Sequence, residues 1–385
     1  MSQAQAIGVI GVPIKERYLA LDVLRGLTIA LMIVVNTPGS WSYMYTPFMH
    51  AAWHGFTITD LIFPTFLFVV GNAMSFSMKK MGGMDQSLFL KKVFKRTFLI
   101  FLIGWLLNAF PFVNYSADSG YAMINWSEVR LLGVLQRIAL CYMLAALIIY
   151  YLGRRGAILY SIVALLGYWA VMYLFGEAAD PFSLTGNAAL KLDLWLIGAK
   201  NLYTGEGIPF DPEGVLSTFP SVVNVIAGYL VGKFIQDMGN NTRTVKKLAL
   251  WGIALLVICL LWDMVFPINK KLWTSPYVLL TISLNLFLIG LLMLVIEVWR
   301  KRNWTYPFEV FGRNPLILYV LSGVLISLFH AIRIGEQTFK GLIYENLFTS
   351  WLGPKDASLL FSVIYMLLIW LVGLWMDKKK IYIKV

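Results

Sequence analysis

The stretch Met49-His50-Ala51-Ala52-Trp53-His54-Gly55, with Asp60 just ahead of an apolar run, brings two of the chain's three histidines and a carboxylate close together. An imidazole, with an unperturbed pKa of about 6.5, exchanges protons near neutrality. A histidine with a nearby aspartate and an amide donor suits acyl transfer. The imidazole takes a proton from the attacking nucleophile, the carboxylate fixes its tautomer, and the amide, here Asn36, stabilises the developing oxyanion. The imidazole can also carry the acyl group itself. His50 and His54, four apart, could instead share a helix face as metal ligands, but no third ligand stands at motif spacing. The sequence has no H-E-x-x-H, no paired C-x-x-C and no Walker loop, so zinc hydrolysis, thiol redox chemistry and ATP hydrolysis find no support.

The elements that must position these residues are membrane spans. The 385 residues are 59% hydrophobic and 14% charged, with 14 Trp and 19 Tyr, more apolar surface than a soluble domain of this size can hide. Apolar runs of bilayer length predict an all-α integral membrane protein of about ten spans, roughly 19–37, 57–78, 93–110, 129–151, 156–175, 216–236, 245–265, 273–298, 308–330 and 358–377. Alternate connections are basic: Lys15 and Arg17, the 79–96 loop, Arg154 and Arg155, Arg243 with Lys246 and Lys247, the 300–302 triplet, and 378–384. The opposite connections carry only Lys191, Lys200, Lys270, Lys271, Arg333, Lys340 and Lys355. The positive-inside rule then places both termini in the cytoplasm and the histidine turn on the outer face. The net charge of +12 reads as topology and excludes a nucleic-acid footprint. Cys141 and Cys259 fall inside apolar runs and read as small core residues. Residues 1–16 form a cytoplasmic tail in this reading, and 17–385 one polytopic domain. The first span, interrupted by Asp22 and Arg25 and lacking a small-x-small site, is not a cleavable signal peptide. The 176–215 connection is the one sizeable external loop, and its length suggests a lid or substrate-facing role.

Charges near a bilayer centre cost about 2.5–3.5 kcal/mol each on insertion scales, so each intramembrane charge is a candidate site residue. Asp22 and Arg25, three apart, can pair on one helix face, either as a structural ion pair or as part of a site. Asn36 lies about 16 Å further along the same helix. Arg130 can snorkel to the interface. Arg137, about 10 Å deeper by helix rise, cannot do so easily, and with Gln136 is expected to face a polar cavity. On the outer face Lys270 and Lys271 break the charge rule, which an anionic ligand or a carboxylate partner would explain. Asp211 and Glu213 offer two carboxylates suited to a sugar hydroxyl or an ammonium, and they equally suit a helix N-terminus.

In order along the chain, Leu21-Asp22-Val23-Leu24-Arg25-Gly26, Asn36, the His50–Gly55 turn and Asp60-Leu61-Ile62-Phe63-Pro64 resemble the heparan-α-glucosaminide N-acetyltransferase family. Gly133-Val134-Leu135-Gln136-Arg137, Asp211-Pro212-Glu213-Gly214, Asn269-Lys270-Lys271-Leu272-Trp273 and Asn314 extend the resemblance in register. The resemblance implies a transmembrane enzyme that takes acetyl from cytoplasmic acetyl-CoA and places it on the amine of a terminal glucosamine across the membrane, without a metal. It implies His50 as the catalytic histidine and Asn36 as an active-site asparagine, with Asp60 the expected imidazole orienter. His54 falls where the animal lysosomal enzyme has asparagine, so it is grouped with the expected substrate contacts Trp53, Asp211, Glu213, Asn269, Lys270 and Trp273. Arg25, Gln136, Arg137, Arg313 and Asn314 are the expected acetyl-CoA contacts, because arginine pairs well with phosphate. The lysosomal members also carry a luminal domain and an extra preceding span with no counterpart here. The resemblance therefore points to a bacterial-type enzyme of the inner membrane, surrounded by lipid, acting on small amino sugars, with its histidine on the periplasmic side. A homodimer is compatible with this reading. Two other functions stay open: a secondary transporter of a sugar or anion, whose helices also carry midplane charges, and an O-acyltransferase of envelope glycans.

Overall fold

Apolar runs in lipid become helices because their backbone groups find no other hydrogen-bond partner there. The computed structural model describes residues 18–81, 84–116 and 120–383. The expected 1–16 tail, Lys15, Arg17 and Lys384 lie outside the described residues. The first half of the chain holds α1 (Leu19–Asn36), α2 (Ile58–Met81), α3 (Gln86–Ala109), the hairpin β1–β2 (Val113–Ser116 and Gly120–Met123), α4 (Val134–Phe175) and α5 (Ala188–Leu196). There follow α6 (Val215–Met238), α7 (Thr242–Asp263), α8 (Ser275–Met293), α9 (Tyr306–Arg313) and α10 (Pro315–Ala331). A short hairpin β3–β4 (Arg333–Ile334 and Gln337–Thr338), α11 (Phe339–Tyr344) and α12 (Pro354–Lys378) complete the described residues.

Seven of these helices are long and apolar enough to cross a membrane, α1, α2, α4, α6, α7, α8 and α12, or eight if the bent pair α9–α10 is one span. The difference from about ten has local causes. The first half of α3 carries Lys91, Lys92, Lys95 and Arg96, which leaves a short apolar remainder. The runs at 129–151 and 156–175 correspond to two helices that meet at a kink within the range labelled α4, where Gly153 takes non-helical φ/ψ (φ 61, ψ −163), so that α4 counts once among the seven although it has two limbs. The run at 308–330 bends by 84° between α9 and α10. The cause is Pro315, whose ring disfavours helical backbone at the preceding Asn314 (φ −130, ψ 50).

Two close helix crossings set the frame for the site. On α2 and α6, a Cβ at Gly71 would lie 1.8 Å from the Val225 carbonyl oxygen, and one at Gly228 would lie 1.9 Å from that of Phe68. Only hydrogen fits there, which lets the two backbones touch. On α1 and α9, a Cβ at Gly26 would lie 1.7 Å from the Phe308 carbonyl oxygen. That contact brings Arg25 beside the α9–α10 bend, where its Nη1 donates to the Gly312 carbonyl at 3.1 Å. Between α6 and α8, Asn224 donates to Thr281 Oγ1 at 3.0 Å and accepts from Trp273 Nε1 at 3.1 Å. The 176–215 connection is folded rather than bare: around α5, Phe182, Leu190 and Phe210 pack with Phe266 and Leu272 into a small apolar cluster.

Candidate active site

Asp60 sits in the first turn of α2 and is fully buried, while the His50 side chain is 40% exposed. His50 Nδ1 lies 2.7 Å from Asp60 Oδ1. The other carboxylate oxygen accepts from Thr57 N–H at 2.9 Å, Thr57 Oγ1 at 3.0 Å and Ala51 N–H at 3.2 Å. Because the carboxylate acts only as an acceptor, the contact favours the proton on Nδ1, and in that tautomer of the imidazole Nε2 bears the lone pair. Tyr277 on α8 donates to the Asp60 backbone carbonyl at 2.7 Å, tying the turn to the opposite helix.

Lys270 enters from the connection between α7 and α8. Its Nζ lies 3.0 Å from both ring nitrogens of His50 and 3.8 Å from Asp60 Oδ1. Burial pushes the Lys270 ammonium below its usual pKa, against the pull of Asp60, Glu213 and Glu206. Its neighbour Lys271 pairs with Glu206 at 2.5 Å and donates to the Ala52 carbonyl at 2.8 Å. Trp53 donates through Nε1 to the Phe182 carbonyl at 2.9 Å, and Gly55 N–H donates to the Ile268 carbonyl at 2.8 Å. The 176–215 and 264–274 connections are thereby clasped around the 37–57 connection that holds the histidine turn. His54 takes a separate partner, lying 3.4 Å from Asn269 Nδ2, and burial lowers its pKa against the charges of Asp180 and Asp263. Asn36 ends α1 at the same end of the bundle and is exposed. No hydrogen bond joins it to His50 among the described residues.

The remaining expected substrate contacts are held inside the protein. Asp211 and Glu213 do not present free carboxylates. Arg130, expected to snorkel, donates to Asp211 through Nε at 2.8 Å and Nη2 at 2.6 Å, and to Glu213 at 2.6 Å. Its guanidinium also stands 4.7 Å from the Tyr203 ring centroid. Burial pulls the Arg130 pKa down, but the two carboxylates outweigh it and the net shift is upward. Removing one member of such a buried cluster typically costs about 3–5 kcal/mol. Trp273 and Asn269 are also buried, Trp273 packed edge-on against Phe63 and Tyr277.

A second feature lies toward the opposite end of the bundle. A cavity of about 510 Å³ runs along α2 from Phe66 to Ser77 and is lined by three arginines, Arg25, Arg96 and Arg313. Arg25 is paired with Asp22 at 3.4 Å. Arg313 is held by Glu309 at 2.9 Å and Asp377 at 2.5 Å. Arg96 has no carboxylate partner among the described residues; its guanidinium stacks 4.6 Å from the Tyr142 ring centroid. Arg137, grouped with the cavity arginines by sequence, lies elsewhere. It is fully buried, donates to the Gly214 carbonyl at 2.9 Å and to Ser217 Oγ, and stands 5.0 Å from the Trp273 ring centroid. Gln136 is buried and donates to the Leu131 carbonyl at 3.2 Å. Asn314 clamps the chain end instead, donating to the Ile381 carbonyl at 2.9 Å and accepting from Ile383 N–H at 3.0 Å.

Sequence reasoning passed over Arg96 because it falls in a run of basic residues. The signal was present in the helix period: Val93, Thr97, Ile100 and Gly104 are the buried face of α3, and Arg96 borders it. It also passed over Glu206 and Tyr277, whose partners lie in distant connections.

Fold and site together define a polytopic helical membrane protein with a buried carboxylate–imidazole pair at one end and an arginine-lined cavity toward the other. Residues 17–262 match the family described as heparan-alpha-glucosaminide N-acetyltransferase, catalytic, and the chain belongs to that family. It is 28% identical to the heparan-alpha-glucosaminide N-acetyltransferase of Mus musculus, over 90% of this chain and 60% of that protein. It is 28% identical to the protein of the same name from Homo sapiens, over 80% of this chain and 53% of that protein. The chain therefore spans between half and two thirds of the length of these relatives.

Proposed function

We propose that the chain is a transmembrane N-acetyltransferase that moves acetyl from cytoplasmic acetyl-CoA to the amine of a glucosamine-type sugar on the periplasmic side of an inner membrane. The observation that carries this reading is the sharing of α2 by both features. The cavity begins at Phe66, six residues from Asp60, or about 9 Å of helix rise. A donor whose phosphates rest among the arginines could extend its acyl end along α2 toward the histidine turn.

The residues suggest the chemistry. Asp60 holds Nδ1–H, so Nε2 faces the reacting groups as a base. As the sugar amine nitrogen bonds to the acetyl carbonyl carbon, Nε2 accepts the amine proton. The carbon–sulfur bond then breaks, and the CoA sulfur leaves with that proton. In a two-step version Nε2 attacks the thioester carbonyl carbon and the carbon–sulfur bond breaks to release the CoA thiolate; the amine then attacks the acetyl carbon, the bond to Nε2 breaks, and the amine proton passes by way of the freed Nε2 to the thiolate. The Lys270 ammonium and the Asn36 amide are the donors available to the oxyanion. Arg96 is the guanidinium best placed for phosphate, because Arg25 and Arg313 already face carboxylates. Trp53 and His54 border the acceptor space; Asp211, Glu213, Asn269, Trp273 and Arg137 belong to its scaffold. Gln136 and Asn314 support the donor cavity without entering it.

Ten crossings with both ends inside fit this arrangement. The length of α4 allows two crossings, with Arg154 and Arg155 at the Gly153 break between them, and α3 and the α9–α10 pair supply two more. Every connection clasped around His50 is then external. The test is direct: purified protein in detergent is mixed with labelled acetyl-CoA and either glucosamine or glucose. Labelled N-acetylglucosamine is expected, and glucose stays unlabelled. Labelled glucose would favour O-acyl transfer, and no product, together with glucosamine uptake into liposomes, would favour a transporter.

A further inference from the structure

A second cavity, of about 320 Å³, shares no lining residue with the arginine-lined cavity or the histidine turn. Val231 and Phe234 on α6 form one wall, Trp251 and Ala254 on α7 the other, and Ile282 on α8 the floor. Arg154, beside the Gly153 break of α4, closes one end. The groove is therefore apolar along its length and cationic at its tip. Arg154 is exposed and makes no hydrogen bond or ion pair among the described residues. At the same end, Lys247 Nζ stands 5.9 Å from the Phe234 ring centroid, and Phe234 in turn packs 4.5 Å from Trp251. Ala227 and Leu255 continue the apolar lining.

A gap between membrane-spanning helices that faces lipid is filled by acyl chain, since water would leave apolar walls exposed and the bilayer supplies hydrocarbon at every depth. An unpaired guanidinium at its end selects for an anionic headgroup, and basic pockets between helices bind such headgroups. We propose that the α6–α7–α8 groove is a binding site for one anionic phospholipid, its acyl chain lying between Phe234 and Ala254 and its phosphate on Arg154. The site is independent of acetyl transfer. It ties α7, which otherwise packs mainly on α8, to α6 and to the break in α4.

The test uses the full-length protein in detergent, with phosphatidylglycerol or phosphatidylcholine added in equal amounts and bound lipid counted by native mass spectrometry. One phosphatidylglycerol per chain is expected, retained about five-fold more than phosphatidylcholine, the factor that one basic contact near a headgroup provides. Arg154→Gln should remove that preference, whereas Arg155→Gln, which does not line the groove, should keep it. Ala254→Trp should fill the groove and displace either lipid, with an unchanged elution profile as the check on folding. Equal retention of the two lipids overturns the proposal, as does a preference that survives Arg154→Gln. Detection of a dimer that Ala254→Trp dissociates also overturns it, by assigning the groove to a second copy of the chain.

Discussion

His50 Nδ1 lies 2.7 Å from Asp60 Oδ1, and the same carboxylate is fixed by three further hydrogen bonds from Thr57 and Ala51. Asp60 is thus held by hydrogen bonds from its own chain, and the imidazole takes its orientation from a buried group. In the proposed reaction His50→Ala abolishes acetyl transfer. Asp60→Asn lowers kcat by about 10²–10⁴, the usual range for losing oriented acid–base catalysis. His54→Asn, whose partner is Asn269 rather than Asp60, retains most activity. Turnover with labelled acetyl-CoA measures all three; equal losses in His50→Ala and His54→Asn would contradict the assignment.

Arg96 on α3 and Arg137 on α4 both stand among packed helices, yet opposite outcomes are expected of them. Arg96→Gln should raise KM for acetyl-CoA about ten-fold with kcat little changed, as loss of a charge-assisted phosphate contact does. Arg137→Gln should instead lower the melting temperature in detergent, because a fully buried side chain on Gly214 and Ser217 is lost. An unchanged KM in Arg96→Gln would remove that residue from the donor site.

Asp193 gives a pH dependence of stability. Its Oδ1 accepts from Val215 N–H at 2.9 Å at the start of α6, while Oδ2 is buried without a hydrogen-bond partner among the described residues. Burial pushes the carboxyl up from 3.8 to about 6, against the Val215 hydrogen bond. The folded state therefore binds this proton more tightly than the unfolded chain. The contribution to stability is complete below about 4 and is lost as pH rises through about 6. Asp193→Asn keeps the acceptor and removes the charge, so it should be more stable than the parent at pH 7 and nearly equal to it at pH 4. Thermal melts in detergent at the two values decide the matter; a variant less stable at pH 7 would show that Asp193 is held ionised.

Topology is open to chemical labelling. A cysteine replacing Ser42, in the connection that carries His50, should react with an impermeant thiol reagent added to intact cells. One replacing Asn240, between α6 and α7, should react only after lysis. The reverse pattern would invert the proposed orientation.

The helical face of a span is a local property, and most of the fold was legible for that reason. The runs that became α1, α2, α6, α7 and α12 needed only residues within a turn or two of one another. Where the sequence expectation and the structure differ, the cause is a contact that no window contains. Arg130 meets Asp211 and Glu213 more than eighty positions away, so an arginine assigned to the interface and two carboxylates assigned to a sugar neutralise one another. Arg137 and Arg96 could not be ranked by depth alone. Arg137 faces the start of α6 and Arg96 the arginine-lined cavity, a difference set by how α3 and α4 pack against α2 and α6.

By itself the sequence determined that the chain is a helical membrane protein, that its basic connections alternate, and that its ordered motifs place it in an N-acetyltransferase family. These follow from lipid's demand for internally satisfied backbone and from residue identities at fixed spacing. Only the tertiary structure decided which arginine of the arginine-lined cavity lacks a carboxylate among the described residues and which lysine stands against His50. It alone showed that the 176–215 segment folds against the histidine turn. Charge pairing acts through space at 3–4 Å, and the partners are brought within that distance only by the packing of helices remote in the chain.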